Sequence, residues 1–209
     1  MQYIYLHGFA SGPLSRKAQD LSDRFQQMGR SLHIPDLNQG DFSRLTLSRQ
    51  LEQVYTEYLA SEKPTTIIGS SFGGLTAAWL GQRYACVERL LLLAPAFQFL
   101  TNWQPKIPTN QWQQWEATGS MDIYHYSQQK MVPLEYGFVT DLKRYSDNEL
   151  MRPVPTRIIH GLGDDVVPIQ VSQDYVRGRS HASLLAVNSD HSLGDQLDTI
   201  WTEVAYYLK

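Results

Sequence analysis

Residues 65–80 read TTIIGSSFGGLTAAWL: a β-branched run, two adjacent serines among glycines, then an alanine-rich stretch. Ser71 is the centre of a G-x-S-x-G pattern, with Gly69 and Gly73 two residues to either side. Ser70 is not, because Ile68 stands two residues before it. In this pattern the chain turns sharply from strand to helix and holds the central serine in a strained conformation. The glycines remove side chains that would clash in the turn, and Gly74 and Ala77 let the following helix lie close to a sheet. The start of that helix presents backbone N–H groups and the positive end of its dipole beside the serine oxygen, an environment that favours an oxyanion. The chemistry suggested is nucleophilic attack on an acyl carbon.

A serine hydroxyl needs a base to take its proton. Where the pattern sits on a parallel sheet, the helpers follow in the order serine, acid, histidine, on loops at the C-terminal ends of strands. Of the six histidines, His7, His33 and His160 precede the acid or lie within strand ends, and His125 falls in an aromatic-rich segment. His181 precedes the last strand, at the opposite edge from Ser71. His191 follows that strand, in NSDHSLGD, and is the candidate general base. Asp164 is the candidate acid, in the spacing H-G-x-x-D-x-x-V-P formed by His160, Gly161, Val167 and Pro168. Asp165 is the reserve, read as a solvated turn residue, and Asp190 is read as a loop residue. An acid after the fourth strand is ruled out, since no Asp or Glu lies between Glu88 and Glu116. The expected oxyanion donors are the backbone N–H groups of Phe72, directly after the serine, and of Phe9, in the loop LHGFASGP after the first strand. His7 is read as structural, bonded to neighbouring backbone.

These groups need elements to carry them. Strands are expected at 2–8, 31–37, 65–69, 89–95, 156–161 and 183–188. Helices are expected at 15–29, 46–60 and 72–84, from about Ile169, and over 193–208. Ala18, Leu21, Phe25 and Met28 share one face of the first helix. Leu47, Leu51, Val54, Tyr55 and Tyr58 share one of the second, and Leu197, Ile200, Val204 and Leu208 one of the last. RLLLLAP at 89–95 does not alternate, so it reads as a strand buried on both faces. The alternation of strand and helix implies right-handed crossovers and a mostly parallel six-stranded sheet with helices on both faces. The rhythm breaks at 98–150, which holds Trp103, Trp112, Trp115, Tyr124, Tyr126, Tyr136 and Tyr145. That segment is expected to be an insertion, partly helical, over one end of the sheet. It reads either as a peripheral unit with its own aromatic core or as a lid over a substrate pocket.

The 209 residues suffice for one domain with a sizeable core. A net charge of −3 offers no basic surface for nucleic acid. RLLLLAPAFQFL (89–100) is too short for a membrane span and contains a proline. The N-terminus lacks the basic region and cleavage site of a secretory signal, and Cys86 is the only cysteine. A reducing cytoplasm is therefore expected. No His, Cys or carboxylate cluster has metal-ligand spacing, so neither metal nor organic cofactor is expected.

Together YLHGFASGPLSRKA (5–18), IIGSSFGG (67–74), GDDVV (163–167) and DHSL (190–193) resemble the small bacterial YqiA-type esterases of the α/β-hydrolase superfamily. The opening H-G-F-x-S-x-P-x-S-x-K-A is the most specific part. The resemblance covers most of the chain except 98–150, and it implies a serine hydrolase acting on small acyl esters or thioesters. It carries over Ser71, Asp164 and His191 as a triad and Phe9 and Phe72 as oxyanion donors. Asn188-Ser189-Asp190 stands where a glycine pair is usual, so the histidine loop is expected to differ in shape. As in the small family it resembles, no hairpin of the kind found in larger relatives is expected before the first strand, 2–8. Acyl transfer, carbon–carbon cleavage or elimination on the same three residues, and ligand binding without turnover, are the competing readings. Acyl chain length, ester against thioester, and oligomeric state are left open by the sequence.

Overall fold

The computed structural model describes residues 1–208, with side chains as far as Tyr206. Its strands are β1 (Gln2–Leu6), β2 (Thr65–Ser70), β3 (Val87–Leu93), β4 (Ser120–His125), β5 (Lys130–Glu135), β6 (Thr156–Gly161) and β7 (Ala182–Val187). β1, β2, β3, β6 and β7 form one parallel sheet in that order, and β4 and β5 form a separate antiparallel hairpin. The helices are α1 (Arg16–Gln27), α2 (Leu47–Val54), α3 (Phe72–Arg83), α4 (Phe99–Trp103), α5 (Thr109–Thr118), α6 (Gly137–Leu142), α7 (Ile169–Val176) and α8 (Leu197–Leu208).

The sheet is covered on both faces, as the alternation of elements implies. Ile67, Leu90, Leu92 and Ile158 point to one face and pack with residues of α2, α3 and α7. Ile68, Leu91, Leu93 and Ile159 point to the other and pack with Ala18, Leu21 and Phe25 of α1 and Ile200 and Val204 of α8. Period-two alternation on fully buried strands accounts for the unbroken apolar run in β3.

The sixth expected strand, 31–37, is reduced to one bridge on the free edge of β1. His33 N–H donates to Tyr3 O at 2.9 Å and Tyr5 N–H donates to His33 O at 2.8 Å. The ladder then meets Pro35, which has no N–H to give. The edge still sets the winding. From β1 the chain runs out to His33, then returns to β2 on the other side of β1. The crevice at this reversal, past the C-terminal ends of β1 and β2, is where parallel sheets present ligands.

Several helix ends differ from expectation. The second helix closes in a π turn over Tyr55–Leu59, with Ala60 N–H on Tyr55 O, which leaves Tyr55 exposed. Met28 is also exposed, in the cap after α1. α8 starts at Leu197 rather than at 193, because Leu193 adopts φ +50° in the preceding loop. The burial of Leu208 lies outside the described side chains.

The 98–150 segment is helical in part, and it also contains the β4–β5 hairpin. Its apolar residues do not form a core of their own. Trp112, Trp115, Leu134, Phe138 and Leu142 belong to the same buried cluster as Ile67 and Leu92 of the sheet. The tip of the hairpin joins the loop after β1, where Tyr126 N–H donates to Ala10 O at 2.9 Å. No helix among the described residues is long and apolar enough to cross a membrane.

Candidate active site

Ser71 sits in the sharp turn between β2 and α3, at φ +53° and ψ −116°. Such a backbone conformation costs a non-glycine residue about 1–3 kcal/mol, and the surrounding contacts must impose it. They do: Ser71 N–H donates to Leu93 O at 2.8 Å, and Ser71 O accepts from Gly74 and Ala96 at 2.8 and 3.0 Å. The flanking glycines are required by space. A Cβ on Gly73 would lie 2.2 Å from Leu6 O, and one on Gly69 would lie 2.4 Å from Gly73 O.

The loops after β6 and β7 bring the other two groups to the same rim. Ser71 Oγ lies 3.0 Å from His191 Nε2, and His191 Nδ1 lies 2.7 Å from Asp164 Oδ2. Since the carboxylate only accepts, Nδ1 carries the imidazole hydrogen, and Nε2 is free to accept from the serine hydroxyl. The two loops approach so closely that a Cβ on Gly161 would lie 2.4 Å from Ser189 O. Lys17 of α1 adds a tether by donating to Ser192 O, beside the imidazole. Burial pulls its ammonium down to about 8, partly opposed by the nearby Asp190 charge.

The Asp164 carboxylate is fully buried, whereas the His191 side chain is 20% exposed. Asp164 Oδ1 accepts from the N–H groups of Val166 and Val167 at 2.9 and 2.7 Å. Burial alone would raise this carboxyl. Hydrogen bonds from His160 and His191, the charge His191 carries whenever it is protonated, and the Val167 N–H outweigh it and hold the group far below the usual carboxylate range. The reserve acid, Asp165, is exposed, and its carbonyl accepts from Lys106 Nζ at 2.6 Å. Asp190 folds back on its own loop, accepting from Ser192 N–H and Oγ–H at 2.9 and 2.6 Å.

The loop after β1 lies against the serine. A Cβ on Gly8 would be 3.3 Å from Ser71 Cβ and 3.9 Å from its Oγ. Neither the Phe9 nor the Phe72 N–H is used in a turn, loop or cap hydrogen bond. His7 has the structural part expected of it: Nδ1–H donates to Gly8 O at 2.9 Å and Nε2 accepts from Leu37 N–H at 3.0 Å. The Phe9 ring packs among Phe42, Phe72, Phe99, Trp103 and Phe138, which joins the loop after β1 to the 98–150 segment.

Ser71 and His191 open onto a cavity of about 780 Å³. Phe9, Phe99, Trp103, Ile107, Met121 and Ile123 line it, together with Tyr5, Ser15, Arg16 and Lys17. Burial pushes the Tyr5 phenol up to about 12. No group of three or more His, Cys, Asp or Glu among the described residues is placed to hold a metal ion. The arrangement suits attack by a serine oxygen on an acyl carbon.

Sequence reasoning set aside His160 and did not single out Lys17. A polar ring at the end of an apolar strand, four residues before the acid, is the signal for the first, since a buried imidazole must find partners.

A family model described as an uncharacterised protein family, UPF0227, matches residues 2–207. A relative from Pongo abelii, named palmitoyl-protein thioesterase ABHD10, mitochondrial, is 27% identical over 150 residues. The match covers 66% of this chain but spans only 47% of that protein's length. Among solved structures, a putative hydrolase from Agrobacterium vitis has a TM-score of 0.84 at 21% identity, covering 100% of this chain and 88% of that one. Mouse α/β hydrolase domain-containing protein 10 has a TM-score of 0.80 at 20% identity, covering 100% and 90%. The architecture is thus the α/β-hydrolase fold.

Proposed function

The chain belongs to the uncharacterised protein family UPF0227, that of the YqiA-type esterases its motifs resemble, and from that premise we propose that it is a serine hydrolase cleaving carboxylic esters or acyl thioesters. The observation that carries this reading is the relay from Ser71 Oγ through His191 to Asp164, at 3.0 and 2.7 Å, on a strained turn facing an apolar cavity. Ser71 Oγ attacks the acyl carbon while His191 Nε2 takes the hydroxyl proton. The N–H groups of Phe9 and Phe72 receive the developing oxyanion, each such donor being commonly worth about 3–4 kcal/mol. Collapse breaks the bond to the alcohol or thiol, which leaves with the proton from His191. Water then repeats the sequence on the acyl-enzyme and releases the acid. Asp164 stays ionised throughout, holding the imidazole tautomer and stabilising the imidazolium.

In this reading the 98–150 segment is a lid on a single domain, and its aromatic underside receives the acyl chain. The relative named a palmitoyl-protein thioesterase supports both an apolar acyl group and the thioester alternative. A reducing compartment such as the cytoplasm fits a chain whose only cysteine, Cys86, is free. The test is hydrolysis of p-nitrophenyl acyl esters and acyl thioesters by wild type and Ser71→Ala. Turnover is expected to fall about a thousandfold or more. Equal turnover in the two proteins removes Ser71 from the mechanism. Added alcohols or thiols separate hydrolysis from acyl transfer, since a transferase returns a new ester in place of free acid.

A further inference from the structure

His160, near the end of β6, is fully buried, and every polar position on its ring is used. Nδ1 lies 2.7 Å from Ser172 Oγ on α7. Nε2 lies 2.9 Å from the carbonyl of Val167 and 3.1 Å from Asp164 Oδ2. A carbonyl and a carboxylate can only accept, so Nε2 carries the hydrogen; in the neutral ring Nδ1 then accepts from the Ser172 hydroxyl. The tautomer is therefore the reverse of that in His191.

Two consequences follow for the acid. Its Oδ2 accepts from His191 Nδ1–H and lies 3.1 Å from His160 Nε2, whose one hydrogen it shares with the Val167 carbonyl, while its Oδ1 is held by two peptide N–H groups. The Val167 peptide, whose N–H donates to Oδ1, is itself fixed through its carbonyl by His160. One ring thus restrains both the carboxylate and the turn that presents it. His160 does not line the cavity; of the residues it bonds, Val167 does.

We propose that His160 is a positioning residue for the reaction above: its Nε2–H fixes the rotation of the Asp164 carboxylate and, through it, the alignment of His191 on Ser71. The proposal rests on the hydrolase reading. Ser172 extends the chain of control to α7, so that a helix remote from the substrate sets the pose of the base.

Two variants of similar polarity separate this role from simple packing. In His160→Gln the side-chain amide nitrogen falls near the site of Nε2 and can still donate to Asp164. In His160→Asn it reaches only to the site of Nδ1. His160→Gln is expected to keep kcat within about threefold of wild type. His160→Asn is expected to lose about tenfold or more in kcat, with KM within about twofold, while unfolding remains cooperative. Wild-type kcat in a folded His160→Asn, equal losses in the two variants, or a change confined to KM overturns the proposal. Imidazole nitrogen NMR on the wild-type protein gives a reading that no variant's folding affects. His160 is expected as the neutral Nε2–H form, and an Nδ1–H form contradicts the assignment. Turnover by Ser71→Ala signals failure of the hydrolase reading instead. A dead Ser71→Ala beside a fully active His160→Asn sinks the positioning role alone.

Discussion

Ser71 holds a positive φ that the fold imposes on it. Replacing it by glycine releases that strain and removes the hydroxyl. Ser71→Gly is expected to be more stable than wild type by about 1 kcal/mol in urea unfolding, and inactive. A loss of stability shows that the turn is not strained. Asp164 makes a second prediction. Its folded-state carboxyl lies below the unfolded value, so its contribution to stability is fully present above the unfolded pKa of about 3.9 and fades as pH falls toward the folded value. The difference in unfolding free energy between wild type and Asp164→Asn is expected to be flat from pH 7 to about pH 5 and to shrink below about pH 4. A gap that is constant down to pH 2 contradicts the assigned direction. At this scale the sequence was most legible for groups defined by motif and chain order: Ser71, Asp164 and His191 lie in one hydrogen-bonded line. His160 was not legible as a partner of Asp164, because its role depends on a side-chain approach from strand to loop that spacing alone does not encode.

The same contrast holds for elements. β3 was readable because burial on both faces leaves an unbroken apolar run, Leu90–Leu93. The 31–37 edge was overread: Pro35 stops its ladder after one bridge. The β4–β5 hairpin was missed because Pro133 stands inside β5 and an outward position of β4 carries an aromatic, Tyr124. Close approach between elements is where glycine matters. Gly73 lets α3 begin against the end of β1, with Leu6 O only 2.2 Å from where a Cβ would sit. Gly73→Ala is expected to cost about 3 kcal/mol or more and to lower the melting temperature sharply, since only backbone could yield there. An unchanged melting temperature means that the turn has slack which this geometry denies.

Across the whole molecule, one continuous core joins the sheet to the 98–150 segment through Phe9, Phe72 and Phe138. An aromatic count suggests a separate unit equally well, because composition does not reveal which neighbours the rings find. The packing ties the shape of the cavity to the loop after β1, so in the proposed reaction acyl-chain selection and oxyanion binding would share a wall. Ile107 lines that cavity on the insertion side. Ile107→Trp is expected to lower kcat/KM for long acyl chains about tenfold more than for acetyl or butyryl esters. A uniform loss across chain lengths places the acyl group elsewhere. The claim beneath all of this is that Ser71 is the atom acylated, and covalent capture tests it most directly. The protein is treated with a fluorophosphonate and the modified residue is located by peptide mass spectrometry. The account predicts one phosphonyl group per chain on Ser71, none on Ser71→Ala, and much slower capture by His191→Ala. An enzyme that hydrolyses esters while Ser71 stays unmodified, or that carries the label on another residue, contradicts it.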